Sequence, residues 1–208
     1  TLYITSFFSA LFAMSSYSAS SNDVAMKEIQ LILLDRDGVI NVDRADYVKN
    51  VEEFKFIEGA IEGIKLLNEA QIPVAIITNQ GGIGRGLYTK EDLEEIHEHM
   101  RKELAKHGAF VDKIFYCSDH PDAPSHRRKP NPGMLEEALV FFKVSPQKTH
   151  MIGDDMRDII PAFQCNIHRH LVLTGKGEKT KQNKMRQDYA PVSIHSNLLQ
   201  AAQAIIGR

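Results

Sequence analysis

Residues 30–34 form an uninterrupted apolar-rich run bounded by charge, the pattern of a strand buried on both faces. Residues 72–77 repeat it, with Pro73 near the start of the run, where a strand tolerates it. Between them, Ile61, Ile64 and Leu67 fall at helical spacing and predict a helix over residues 60–69. Gly81, Gly82, Gly84 and Gly86 predict a flexible loop. Thr89 with Asp92 three residues on reads as a capping box, and Leu93, Ile96, Met100 and Leu104 carry that helix to Gly108. Residues 111–116 read as a strand, residues 118–132 as a loop rich in proline, and Pro132 as the start of a helix reaching about Phe142. Residues 149–152 predict a short strand, Asp155 the start of a helix and residues 170–173 a further strand. The tail adds a strand over residues 191–194 and a helix over residues 198–206.

Strands alternating with helices predict an α/β fold: a Rossmann-like three-layer sandwich around a mostly parallel sheet. In such folds ligands sit at the carboxyl ends of the strands. Three strands end in reactive groups: Asp35 after the first, Thr78 after the second, Asp154 after the fourth. Lys129 stands in the proline-rich loop.

A length of 208 residues allows one such domain, read as residues 26–208. Residues 1–25 lack Lys and Arg and carry an apolar run too short to span a membrane, so they read as a disordered appendage. A basic n-region is missing, which leaves secretion as the minor alternative. The net charge of −2 predicts no broad attraction to nucleic acid or to an anionic membrane. Two cysteines, Cys117 and Cys165, suggest no disulfide framework and point to a reducing cytoplasm. A monomer is expected.

The candidate chemistry follows from spacing. Asp35 and Asp37 flank Arg36 just after a strand, and Gly38 permits the turn that aims both carboxylates at one point. One carboxylate can attack phosphorus while the other donates and accepts protons. Thr78 and Asn79 can donate hydrogen bonds to phosphoryl oxygens, and Lys129 can oppose the charge that builds there. Asp154 and Asp155 are placed to hold Mg²⁺ with Asp35, because magnesium prefers oxygen ligands. Each motif alone is more often a turn, a strand end or a helix cap. Their order at successive strand ends gives them weight.

The set resembles the haloacid-dehalogenase-like (HAD) phosphatase superfamily over residues 28–178. The motifs are Asp35-Arg36-Asp37-Gly38, Thr78-Asn79-Gln80, Arg128-Lys129-Pro130 and Gly153-Asp154-Asp155. The resemblance implies Asp35 as nucleophile and Asp37 as general acid/base. It implies Mg²⁺ on Asp35, the Asp37 carbonyl and Asp154. It leaves no room for a large cap domain.

Within the superfamily, the longer stretches around these motifs are similar to the heptose-bisphosphate phosphatases, with histidinol-phosphate phosphatases as relatives. That branch implies a small phosphorylated sugar as substrate, on the way to the lipopolysaccharide core. It implies Asp43 and Tyr47 at the mouth of the site, Asn79, Gln80 and Asp155 against substrate, and Arg128 on a second phosphate. Its usual zinc loop is incomplete here: Cys117, His120 and His126 supply at most three of four ligands, and Ser125 and Arg127 stand where a later cysteine pair would be. Zinc is therefore not expected. Two other classes compete: a catalytically dead binding module, which would have lost one of the five central residues, and a nucleic-acid end phosphatase, which would carry a basic aromatic patch.

Overall fold

The first strand, β1 (Leu31–Leu34), is buried at all four positions. Leu31 and Leu33 join one core cluster while Ile32 and Leu34 join the other, on the opposite face of the sheet. An apolar residue is therefore needed at every position, and the run shows no alternation. The structure is a computed structural model that describes residues 29–207, so the appendage expected over residues 1–25 lies outside the described residues.

The other strands are β2 (Val74–Asn79), β3 (Lys113–Cys117), β4 (Thr149–Gly153), β5 (His168–Val172) and β6 (Ser193–His195). All five pairings are parallel, in the order β3-β2-β1-β4-β5-β6. Pro73 lies just before β2, where its carbonyl still accepts from the Ile32 amide at 2.9 Å. The helices are α1 (Ala60–Glu69), α2 (Gly81–Gly84), α3 (Lys90–Lys106), α4 (Gly133–Phe142), α5 (Met156–Gln164), α6 (Gly177–Gln182) and α7 (Leu198–Ile206). None is long and apolar enough to cross a membrane.

Helices α1, α3 and α7 supply Ile64, Ile96, Met100 and Ala201 to one core face, and α4 and α5 supply Met134, Leu135 and Ala162 to the other. The three-layer expectation holds. The expected glycine loop does not. Gly81–Gly84 winds into a helical turn, with the Arg85 amide donating to the Gly81 carbonyl at 3.1 Å. Gly81 and Gly82 are buried, and side chains from elsewhere occupy the space a β-carbon would take: Arg128 at Gly81 and Tyr88 at Gly82.

The chain runs outward from β1 through β2 to β3, then returns to the other side of β1 with β4. The order reverses between β1 and β4, and a crevice opens there beyond the strand ends. Asp35 follows β1 and Asp154 follows β4.

Candidate active site

A cleft of about 370 Å³ lies over this crevice, lined by Asp35, Asp37, Asn79, Gln80, Arg128, Lys129 and Asp154. Asp43 and Tyr47 line it too, beside Arg44, Arg157 and Lys176. Thr78 is fully buried beneath it, where its hydroxyl accepts from Gln80 Nε2 at 2.8 Å.

Lys129 is almost fully buried and bridges two carboxylates, with Nζ 2.5 Å from Asp158 Oδ1 and 3.0 Å from Asp35 Oδ1. Burial works to neutralise the ammonium, but Asp158 and Asp35 more than offset it and hold its pKa above the ordinary value. The backbone around Lys129 is fastened by Asn79, whose amide donates to the Lys129 carbonyl at 2.8 Å and accepts from its amide at 3.1 Å. Asn79 thus faces the loop that carries the lysine.

Asp37 has a different environment. Its Oδ1 accepts from Arg36 at 3.0 Å and from Asn41 at 2.9 Å, and its Oδ2 from Gln80 at 2.9 Å. Burial would raise its pKa, but the Arg36 guanidinium and these amides pull it below the usual carboxylate range.

Asp35 and Asp154 lie the other way. Burial and the Asp158 charge push Asp35 up to about 7 against the pull of Lys129. Burial, Asp158 and Asp35 push Asp154 up to about 8. Carboxyls that retain protons near neutrality mark a site short of positive charge. Ligand oxygens of Asp35, Asp154 and Asp158 lie within 4.8 Å of one another, the only such group of three Asp, Glu, His or Cys among the described residues. The donor set is all oxygen, which suits Mg²⁺. Asp158 is already spent, since Oδ1 takes Lys129 and Oδ2 takes the Asp155 amide at 3.2 Å. Asp35 Oδ1 accepts from the Arg36 amide and Asp154 Oδ2 from the Lys176 amide, each at 2.7 Å. Among the described residues no donor engages the second oxygen of either.

Glycine makes this packing possible. Gly38 has a φ of 89°, and a β-carbon there would stand 2.1 Å from Asp154 Oδ2. The Gly38 carbonyl is held by the Thr174 hydroxyl at 2.6 Å.

Asp155 departs from expectation. It is the N-cap of α5: its carboxylate accepts from the Arg157 amide at 3.0 Å and pairs with the Arg157 guanidinium at 3.0 Å. That leaves it outside both the carboxylate cluster and the cleft lining. A helix N-terminus supplies unpaired amides, and the nearest short carboxylate goes to them. The spacing of Asp155 and Asp158 is itself a capping box, and that signal could have revealed Asp158 in the sequence. Arg36, Arg157 and Lys176 had no comparable signal.

Cys117, His120 and His126 are not brought together. Cys117 is buried in the core, and His126 is exposed and 2.7 Å from Glu136. The loop after β3 is closed by its own hydrogen bonds: Asp119 accepts from the Ser125 amide at 2.7 Å and Asn131 donates to the Ser125 carbonyl at 2.9 Å. Arg127 anchors its end on Glu137 at 2.6 Å and on the Tyr116 carbonyl at 3.0 Å.

A family model described as HAD-hydrolase-like matches residues 126–201. A D-glycero-beta-D-manno-heptose-1,7-bisphosphate 7-phosphatase of Neisseria meningitidis is 37% identical over 179 residues, covering 86% of this chain and 95% of that one. The chain belongs to the HAD-like phosphatase superfamily. An enzyme of the same name from Pseudomonas aeruginosa is 41% identical over 150 residues, covering 72% of this chain and 84% of that one. The crystal structure of a D,D-heptose 1,7-bisphosphate phosphatase from B. bronchiseptica, complexed with magnesium and phosphate, superposes with a TM-score of 0.80 at 35% identity, covering 86% of this chain and 99% of that one. The protein is a phosphatase with the HAD fold.

Proposed function

We propose that this phosphatase removes the 7-phosphate of D-glycero-D-manno-heptose 1,7-bisphosphate through an aspartyl-phosphate on Asp35. The convergence of Asp35, Asp37, Lys129 and Asp154 at the β1/β4 crevice carries the reading. Relatives that bear this substrate in their names support its specificity.

Asp35, Asp154 and the Asp37 carbonyl would hold Mg²⁺, which supplies the positive charge that lets a phosphate dianion approach these carboxylates. The Asp35 carboxylate attacks phosphorus, and Lys129 beside it opposes charge gathering on the phosphoryl oxygens. Asp37, ionised in the resting site, first takes a proton from solvent as the substrate's charge settles beside it, and gives that proton to the leaving sugar oxygen as the phosphorus–oxygen bond breaks. The carboxylate so formed is stabilised by Arg36, Asn41 and Gln80. It then takes a proton from water, which attacks the acyl phosphate and restores Asp35.

Arg44, Arg128, Arg157 and Lys176 line the cleft mouth and would attract the second phosphate of a bisphosphate. A substrate with a cationic tail, such as histidinol phosphate, would be repelled there. The test is phosphate release with Mg²⁺ from the heptose bisphosphate, fructose 1,6-bisphosphate, histidinol phosphate and an aryl phosphate. The expected result is a kcat/KM for the heptose at least about 100-fold above the others, the discrimination that one or two charge-assisted contacts provide. Equal rates on all four would keep the chemistry and overturn the substrate.

A further inference from the structure

We propose that Tyr88, Gln80 and Arg36 form a positioning unit for Asp37, in which Arg36 sets the orientation of the Gln80 amide and the Tyr88 hydroxyl holds it in place, and with it the aim of the acid/base carboxylate. The proposal rests on the reading of Asp37 as general acid/base.

Gln80 is nearly fully buried and makes four contacts. Its Oε1 receives the Tyr88 hydroxyl at 2.6 Å and Arg36 Nη2 at 3.3 Å. Its Nε2 donates to Asp37 Oδ2 at 2.9 Å and to the Thr78 hydroxyl at 2.8 Å. A glutamine amide can turn end for end with little change of shape. Turned over here, it would set its oxygen against the Asp37 carboxylate and its nitrogen against Arg36, which can only donate. Arg36 therefore decides which end Asp37 meets. The Tyr88 hydroxyl, free to donate or accept, donates to the end so chosen and at 2.6 Å holds it in place.

The arrangement is costly unless it serves the site. Arg36 is fully buried, and its Nε has no partner among the described residues. The guanidinium is spread over three acceptors: Asp37, Gln80 and, at 3.2 Å, His97 Nε2. Burial and Arg36 push His97 down to about 3, so the imidazole stays neutral and its Nε2 accepts. Tyr88 is brought to Gln80 across the glycine turn. A β-carbon at Gly82 would stand 2.1 Å from Tyr88 Cε1, so only glycine lets the ring lie there.

The test separates aiming from folding. With a general acid misaligned, an ester with a poor leaving group loses rate while one with an acidic leaving group does not, because the latter departs without a proton. Tyr88→Phe keeps the ring and removes the hydroxyl. In the Mg²⁺-loaded enzyme it should lower kcat/KM, which reads phosphoryl transfer to Asp35 and not the later hydrolysis shared by all esters, about fivefold on an alkyl phosphate and less than about twofold on p-nitrophenyl phosphate, the loss expected of one hydrogen bond. Gly82→Ala, whose β-carbon would stand where the Tyr88 ring lies, should reproduce that selective loss. Adding Tyr88→Phe to Asp37→Asn should change neither rate further. Equal losses on the two esters in Tyr88→Phe, with Asp37→Asn alone still selective against the alkyl ester, would overturn the positioning unit only. Equal losses in Asp37→Asn itself would overturn the acid/base reading and the unit with it.

Discussion

Lys129 shows how one residue serves both stability and chemistry. It neutralises the fully buried Asp158 and stands 3.0 Å from Asp35. Removing one partner of such a pair leaves an uncompensated charge, at a cost of about 3 kcal/mol. Lys129→Met is therefore expected to unfold at lower urea by that amount and to lose turnover, and an unchanged midpoint would refute the account of the pair. The lysine is legible from its place before Pro130, whereas Asp158 shows only as the far half of a capping box with Asp155. The Gly153-Asp154-Asp155 motif points to Asp155, whereas the helix cap takes Asp155 and leaves the inward position to Asp158. Which of two neighbouring carboxylates enters a site depends on where the helix begins, and motif spelling does not carry that.

At the scale of elements, strand and helix positions followed the apolar periodicity closely, and α7 and the α3 capping box fell where expected. The Gly81–Gly84 turn does not show in the sequence, because a run of glycines looks the same whether it gives freedom or makes room for a neighbouring ring. A second feature became visible only once strands were paired. His150 on β4, His170 on β5 and His195 on β6 form a chain of imidazoles, with nitrogens 2.8 and 3.0 Å apart, and His168 stacks on His150. In such a chain the middle ring, His170, donates once and accepts once, so a proton added to it would set two donors face to face. Burial, then the neighbouring imidazoles, lower His150 to about 4 and His170 to about 2; burial lowers His195 as well. The unfolded chain, with imidazoles near 6.5, binds protons that the folded one refuses. This stability is full above pH 6.5 and is lost as pH falls toward the folded values. At pH 5 a single such imidazole costs on the order of 2 kcal/mol. Melting temperature should drop between pH 7 and pH 5, and drop less in His150→Phe. An equal drop in both proteins would refute the assignment.

For the whole molecule, strand order decides where chemistry can happen. Reversal between β1 and β4 places Asp35 and Asp154 side by side although 119 positions separate them in the chain. The third participant, Lys129, comes from the loop after β3 and is carried inward by its Asn79 clasp. The cations at the mouth come from four separate segments, which explains why the chain's net charge of −2 gave no hint of them. The central claim concerns Asp35, and the most direct measurement is to trap its phosphorylated form. Enzyme mixed with Mg²⁺ and substrate, quenched in acid within milliseconds and digested, should yield the peptide containing Asp35 with the mass of one added phosphoryl group. Asp35→Asn should yield none and release no phosphate while keeping its fold. A phosphoryl group on another residue, or full turnover in Asp35→Asn, would contradict the mechanism.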